Sequence, residues 1–410
     1  MTTVTSPLAP ACFPKLAAIS GVRLAAFAAG IRYAGRDDLM LAELAPGSSV
    51  AGVFTRSQMP GEPVVWCREC LPRGAVRAIV VNSGNANVFT GSAGRQVVES
   101  TAVTAAGLFG CDPHEIYIAS TGVIGEPPPA DRISAALPTV IRRLDSTGWE
   151  PAARAIMTTD TFPKGATASA MIDGVEVRIS GFCKGSGMIA PDMATMLAFL
   201  FTDAALPAPV LQPLLVEANE RSFNCVTVDG DTSTSDTVLL CATGEARHKA
   251  VTAPGDSRLD GFRAALGAVT TDLARQLARD GEGAQKFVTI EVSGAESDRA
   301  ARRIGLTIGN SPLVKTAIAA GDANWGRIVM AVGRAGEKAD RERLAISVGG
   351  IQIAAAGGPV PGYDEGPVAE HMAGREIDIL VDLGIGSGRA TVWSCDLTHG
   401  YVDINGSYRS

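Results

Sequence analysis

The sequence is poor in aromatic residues, in histidine and in clusters of positive charge. Of its 410 residues, 5% are aromatic and four are His, and the formal net charge is -7. Proteins that bind nucleic acid usually carry a basic face, so the acidic balance argues against a nucleic-acid partner.

Long hydrophobic runs are absent as well. The apolar run MLAFLF (196–201) is far shorter than the about 20 residues that a transmembrane helix needs. The first twenty residues lack the basic start and apolar core of a secretory signal. We therefore expect a cytoplasmic protein without a membrane partner.

Cysteine is present but scattered, with eight residues over the whole chain. Cys67 and Cys70 form a CxxC pair, yet no second pair of Cys or His ligands follows at a spacing typical of zinc sites. Such scatter is also unlike a disulfide scaffold. We expect two reduced thiols, and neither a metal site nor a bound cofactor.

Apolar residues make up 46% of the chain, enough for a sizeable core, and β-branched runs alternate with helical patterns. Strands are predicted at 76–85, 115–121, 175–182, 196–201, 287–294, 376–384 and 389–397, and helices at 94–110, 130–145, 208–223 and 258–280. We expect the strand at 389–397 to pair with the strand at 376–384. This mixture predicts a layered α/β arrangement of the α+β class, with an internal boundary in the 280–320 region.

The segment KGSGMIAPDMATMLAFLF (184–201) joins a loop rich in bends to an apolar run. In one interpretation, Thr195 only begins a buried strand, where Thr is common. In the other, its hydroxyl attacks the carbonyl of Ala194, the acyl group shifts from nitrogen to oxygen to form an ester, and water hydrolyses this ester. Thr195 then gains a free α-amine with a pKa of about 8, which can serve as its general base.

The motif KGSGMIAPDMATML (184–197) resembles the signature of the ornithine acetyltransferases, also called bifunctional glutamate N-acetyltransferases, of arginine biosynthesis. The resemblance extends over nearly the whole chain, because further ordered motifs are similar as well. These are VNSGNANVFTG (81–91), IASTGVIGE (118–126), IMTTDTFPK (156–164), VDGDTSTSDT (228–237), DGEGAQK (280–286), SPLVKTAIAAGDANWGRI (311–328) and YVDINGSYRS (401–410).

The resemblance implies the self-cleaving, N-terminal-nucleophile-like fold that this family shares with a group of aminopeptidases. It implies an α chain 1–194 and a β chain 195–410, paired as an α2β2 heterotetramer. It also implies transfer of acetyl from N2-acetyl-L-ornithine to L-glutamate by double displacement through an acetyl-Thr195 intermediate. Some family members also accept acetyl-CoA as a co-substrate, and the sequence leaves this open.

Roles for individual residues follow from the same resemblance. Thr121 and Gly122 match the oxyanion hole, where a hydroxyl and a close backbone amide can face developing negative charge. The positions that match substrate contacts are Thr158, Lys184, Thr195, Glu282, Asn405 and Ser410. Lys184 suits a substrate carboxylate and Glu282 a substrate ammonium, although each alone could be an ordinary solvated charge.

Two other functions remain open at this stage. A hydrolase of the related self-cleaving group would pass the acyl group to water instead of glutamate. A non-catalytic binding protein would keep the fold and an uncut chain of 410 residues.

Overall fold

The computed structural model describes residues 4–190 and 196–407, and in these residues fifteen strands form three sheets with eleven α-helices around them. The strands are β1 (Val22–Phe27), β2 (Leu39–Leu44), β3 (Ser49–Phe54), β4 (Ala78–Asn85), β5 (Ile116–Val123), β6 (Lys164–Ile172), β7 (Val175–Lys184), β8 (Leu197–Ala204), β9 (Thr237–Ala246), β10 (Phe287–Ala295), β11 (Ala345–Val348), β12 (Ile351–Ala355), β13 (Gly358–Pro359), β14 (Glu376–Asp382) and β15 (Gly388–Cys395). The helices are α1 (Glu62–Cys70), α2 (Gly91–Phe109), α3 (Ala130–Ile141), α4 (Trp149–Ala155), α5 (Ala208–Arg221), α6 (Asp260–Arg279), α7 (Asp298–Gly309), α8 (Pro312–Ala319), α9 (Trp325–Gly333), α10 (Glu365–Ala373) and α11 (His399–Ser407).

The first sheet has the strand order β1-β2-β4-β5. Strand β4 is buried along its whole length, which explains why its apolar residues form a continuous run instead of alternating. Strands β4 and β5 are parallel, with Gly84 opposite Gly122. Their carboxyl ends therefore lie side by side at one edge of the sheet, where motifs 81–91 and 118–126 meet.

The second sheet has the order β3-β9-β8-β7-β6 and contains the predicted apolar strand. All eight residues of β8 are buried. It runs parallel to β9 and antiparallel to β7, and Lys184 at the end of β7 pairs with Leu197 at the start of β8. The apolar run after residue 195 is thus a buried strand, as predicted, and it lies inside the sheet.

Two hydrophobic cores lie on opposite faces of this second sheet. Phe182, Phe199 and Phe201 point into one core, whereas Ala198 and Leu200 point into the other. Alternation along a strand sends neighbouring side chains to opposite faces, so a strand between two cores is apolar throughout. The second sheet is therefore a middle layer, and the predicted layered α+β class is confirmed.

The third sheet corrects one prediction. Its order is β13-β12-β11-β14-β10-β15, so β15 pairs with β10 and not with β14. The chain leaving β14 crosses the end of β10, where the backbone N–H of Leu383 donates to the carbonyl of Ser293 at 2.9 Å. Ile385 then donates to the carbonyl of Gly294, also at 2.9 Å. Adjacency in sequence suggested a hairpin, but β10 occupies the place between the two strands.

The predicted helices are present, with ends that differ by a few residues. Pro138 lies inside α3. Helix α2 is followed by Gly110, whose φ of 66° is the left-handed conformation common at helix ends. Within residues 4–190 and 196–407, no helix is both long and apolar enough to cross a membrane.

Candidate active site

One cavity collects most of the residues that the sequence singled out. Its lining includes both oxyanion-hole candidates and four substrate-contact candidates: Thr121, Gly122, Thr158, Lys184, Glu282 and Asn405. The remaining candidates Ala194, Thr195 and Ser410 lie outside the described residues. The cavity is formed where the first two sheets, the turn after α6 and helix α11 meet.

Gly122 sits near the end of β5 in a conformation that only glycine adopts readily. Its φ is 129°, and a Cβ placed there would lie 2.3 Å from the carbonyl carbon of Gly84 on the neighbouring strand. A side chain at this position would force β4 and β5 apart. The sequence Ser-Thr-Gly therefore brings the backbone of β5 against β4 while keeping the Thr121 side chain at the cavity.

Lys184 is the cation of the cavity, and it is 3% exposed. Its Nζ donates to the hydroxyl of Thr121 at 3.1 Å and to the hydroxyl of Thr158 at 2.9 Å. Burial lowers the pKa of Lys184, while Asp160 nearby acts in the opposite direction. Because an ammonium has only donors, both Thr oxygens accept here, and their own protons remain available to other groups. The surface-lysine interpretation of Lys184 is wrong, since β7 carries it into the interior.

Thr158 is fixed by a carboxylate that the sequence reasoning did not identify. Asp160 Oδ2 accepts the backbone N–H of Thr158 at 3.1 Å, and Asp160 Oδ1 accepts the backbone N–H of Gly185 at 2.6 Å. Burial raises the pKa of Asp160, but the ammonium groups of Lys164 and Lys184 outweigh burial and lower it. A charged Asp160 is thus a buried anion between two cations.

Lys164 and Asp280 complete this buried group. Lys164 Nζ donates to Asp160 Oδ1 at 2.7 Å and to Asp280 Oδ2 at 2.5 Å. Burial lowers the pKa of Lys164, but the two carboxylates outweigh burial and raise it. The one sequence signal for this group is the Asp160 to Lys164 spacing within the motif 156–164. Asp280 is more than a hundred residues away in the chain, so only the fold brings it there.

Glu282 is the carboxylate of the cavity, and it lies on the glycine-flanked turn after α6. Its Oε2 accepts the side-chain amide of Asn405 at 2.7 Å, and its backbone N–H donates to the carbonyl of Ser186 at 2.9 Å. Burial raises the pKa of Glu282, and the Asn405 hydrogen bond opposes this. A Cβ at Gly187 would lie 2.4 Å from the Glu282 carboxyl carbon, so glycine there leaves room for the carboxylate.

Helix α11 folds back over this turn. Gly283, at φ 77°, leaves no room for a side chain, because a Cβ would lie 2.4 Å from the backbone nitrogen of Tyr401. Thr398 donates its hydroxyl to the carbonyl of Gly283 at 2.7 Å, and Tyr401 donates its hydroxyl to Asp229 at 3.3 Å. The C-terminal segment therefore forms one wall of the cavity and presents Asn405 to Glu282.

The loop 228–237 holds the chain on both sides of residues 191–195. Asp229 accepts the backbone N–H groups of Met188 at 2.6 Å and of Ile189 at 2.9 Å. Asp236 Oδ1 accepts the backbone N–H of Met196 at 3.0 Å, while its Oδ2 has no hydrogen-bond partner among the described residues. Burial raises the pKa of Asp236 well above its usual value. Asp229 also accepts the N–H of Asp231 at 3.3 Å, which forms an Asx turn.

No group of three or more His, Cys, Asp and Glu side chains in the part of the chain that the structure describes is arranged to hold a metal ion. The CxxC pair lies in α1, with Cys67 and Cys70 both buried and free. Burial raises the pKa of both thiols, that of Cys70 to about 12, so they are neutral near neutral pH.

A second cavity of about 460 Å³ lies at the edge of the first sheet and contains none of the candidate residues. Its wall carries Glu43, which is 8% exposed and forms ion pairs with Arg23 and with Arg77. Like Asp160, Glu43 is therefore a buried carboxylate between two cations.

Comparisons with known proteins identify the family of the chain. The model of the ArgJ family matches residues 23–410. The arginine biosynthesis bifunctional protein ArgJ of Gluconobacter oxydans is 58% identical over 405 residues, 99% of this chain and 95% of that protein. The protein of the same name from Rhizobium meliloti is 55% identical over the full length of both chains. The crystal structure of arginine biosynthesis bifunctional protein argJ from Bacillus halodurans is 41% identical with a TM-score of 0.50, and the match covers 52% of this chain and 100% of that chain. The chain therefore belongs to the ArgJ family.

Proposed function

We propose that this chain is an acetyltransferase of arginine biosynthesis that moves the acetyl group of N2-acetyl-L-ornithine to L-glutamate. One observation carries the proposal: a buried ammonium, Lys184, and a buried carboxylate, Glu282, line the same cavity as the Thr121–Gly122 turn. Both substrates are amino acids, so each brings charge that these two groups can bind. The names of the relatives place them in arginine biosynthesis.

The proposed nucleophile is Thr195, released by cleavage of the Ala194–Thr195 bond into an α chain 1–194 and a β chain 195–410. The Thr195 hydroxyl attacks the acetyl carbon of N-acetylornithine while its α-amine takes the hydroxyl proton. Collapse of the tetrahedral intermediate breaks the amide bond, and the α-amine returns the proton to the departing ornithine nitrogen. The glutamate amine then attacks the acetyl ester and gives a proton to the α-amine. The α-amine passes this proton to the departing Thr195 oxygen, which restores the hydroxyl.

Thr121 and Gly122 are proposed to stabilise the oxyanion of each tetrahedral intermediate. The Thr121 hydroxyl accepts from Lys184 Nζ, so its own proton is free to donate to a developing negative charge. The nearby ammonium also makes that hydroxyl a stronger donor. Both effects favour the transition state over the substrate, which is the requirement for catalysis.

The other substrate-contact residues are proposed to orient the amino-acid part of each substrate. Lys184 and Thr158 face the carboxylate, Glu282 and Asn405 face the ammonium, and Ser410 adds a contact from the C-terminal segment. Asn405 is bonded to Glu282 in the structure, which supports a shared role for these two side chains.

Three further proposals accompany the transferase. The word bifunctional in the relatives' names supports a second reaction, in which acetyl-CoA donates the acetyl group to glutamate. The α and β chains are proposed to assemble as an α2β2 heterotetramer, and the enzyme is proposed to act in the cytoplasm.

The test is incubation of the purified protein with N-acetylornithine, with and without glutamate. We expect N-acetylglutamate and ornithine to form in equal amounts, and little acetate to form without glutamate. Acetate release at the same rate in both reactions would instead identify a hydrolase. N-terminal sequencing should find a second chain that begins at Thr195, whereas a continuous, inactive chain of 410 residues would support the binding-protein interpretation. Replacing N-acetylornithine by acetyl-CoA and measuring free thiol tests the second reaction.

A further inference from the structure

Three buried charged residues lie beside the candidate site and take no part in the proposed chemistry. Asp160, Lys164 and Asp280 have side chains with no exposed surface, and Lys164 Nζ lies between the two carboxylates. We call them the buried triad. Replacing buried ion pairs by packed apolar residues is often neutral or stabilising. A buried triad beside a substrate cavity therefore calls for a role besides stability.

One carboxylate of the buried triad fixes two segments of the site. Asp160 accepts the backbone N–H of Thr158 with one oxygen and the backbone N–H of Gly185 with the other. Gly185 directly follows Lys184, whose Nζ donates a hydrogen bond to the Thr158 hydroxyl. Asp160 thus sets the distance between two substrate-contact residues through their backbones.

The other carboxylate of the buried triad fixes the third segment. Asp280 accepts the backbone N–H of Thr161 at 3.0 Å and also the Thr161 hydroxyl. It lies two residues before Glu282 on the same turn. Because Lys164 donates hydrogen bonds to both Asp160 and Asp280, it joins the segment that carries Thr158 to the turn that carries Glu282.

We propose that the buried triad consists of positioning residues that fix the separation between Lys184 and Glu282, and that this separation sets the affinity for the two amino-acid substrates. The inference deepens the proposed function and rests on it. Hydrogen bonds between charged groups are shorter and stronger than neutral ones, so the buried triad resists changes in this spacing. A displacement of about 1 Å at a reacting centre can reduce a rate about 100-fold.

The experiment separates positioning from stability by restoring charge balance. Lys164→Met leaves Asp160 and Asp280 facing each other without the cation that lies between them, so the melting temperature should fall. The double variant Lys164→Met/Asp280→Asn removes one cation and one carboxylate, so most of the melting temperature should return. The KM values for N-acetylornithine and for glutamate should nevertheless be at least about tenfold higher in both variants, because the bond that joins the two segments is absent in both.

Glu43→Gln is the matched control, since it also removes a buried carboxylate between cations but lies away from the site. It should lower the melting temperature and leave both KM values unchanged. If Lys164→Met does not fold, Asp160→Asn, which keeps the side-chain shape, should give the same rise in KM. A double variant that recovers both the melting temperature and the wild-type KM values would overturn the inference, because the buried triad would then serve stability alone.

Titration calorimetry with glutamate compares the same variants by affinity, without turnover. The variants of the buried triad should bind glutamate at least about tenfold more weakly than the wild type and than Glu43→Gln. A wild-type protein that binds glutamate but transfers no acetyl group would refute the proposed function alone. Equal glutamate affinity in all variants would refute the positioning role.

Discussion

Replacing Thr121 by Val tests the oxyanion role with little change in side-chain shape. The substitution removes one hydroxyl, which is buried and accepts from Lys184 Nζ at 3.1 Å. Loss of one oxyanion donor typically raises the activation barrier by about 3 to 4 kcal/mol, so kcat should fall roughly 10²- to 10³-fold. The KM values should change little, since the donor acts mainly on charge that develops in the transition state.

The same substitution has a separate effect on stability. Without the hydroxyl, Lys184 keeps the Thr158 hydroxyl at 2.9 Å but loses one acceptor. A buried donor without its partner costs about 1 to 3 kcal/mol of unfolding free energy, which thermal unfolding would detect. Thr121→Ser keeps the hydroxyl and is the control, so its kcat should remain within about tenfold of the wild type.

The assay measures initial rates of N-acetylglutamate formation over a range of both substrates, after electrophoresis has shown that each variant matures to the same extent. Separate values of kcat and KM are needed, because they report different interactions. If Thr121→Val raised KM and left kcat unchanged, the hydroxyl would be a binding group for the substrate and the oxyanion assignment would be refuted.

Three further predictions address the nucleophile, a backbone contact and a buried acid. Thr195→Ala should abolish both chain cleavage and acetyl transfer, as measured by mass spectrometry and by the transfer assay; residual transfer would mean another nucleophile. Gly122→Ala should destabilise the protein more than Gly110→Ala, because both have positive φ but only the first meets a neighbouring strand, and chemical denaturation would compare them. The buried acid is Asp236, tested in the uncut Thr195→Ala background with and without Asp236→Asn. The free energy of unfolding with Asp236, minus that with Asn in its place, should fall as pH rises above 3.8, the ordinary pKa of an Asp carboxyl. The reason is that burial raises the folded pKa, so the unfolded chain loses this proton first and gains stability relative to the folded state; a rise with pH would contradict it.

Local patterns were sufficient for the elements that carry the site. The continuous apolar run after residue 195 predicted a buried strand, because a strand between two cores needs apolar side chains on both faces. The sequence predicted strands at 76–85 and 115–121, and the parallel pairing of β4 and β5 brings their ends together. These features depend on neighbours in sequence, so periodicity and turn chemistry reveal them.

Local sequence patterns did not predict the contacts between distant segments. The position of β10 between β14 and β15 is fixed by packing and not by any turn signal. Lys184 was weighed as a surface residue, yet its burial depends on hydroxyl partners from two other segments. Asp280 contacts Lys164 across more than a hundred residues, and its sequence neighbours do not distinguish Asp280 from an ordinary surface charge.

The strand order of the second sheet has a consequence for the proposed cleavage. Strands β3, β6 and β7 precede residue 190, whereas β8 and β9 follow residue 196 and lie between β3 and β7. If the Ala194–Thr195 bond is cut, neither product contains the whole second sheet. Refolding after denaturation then requires two molecules to meet, so its rate and its midpoint should depend on protein concentration, unlike those of the uncut precursor.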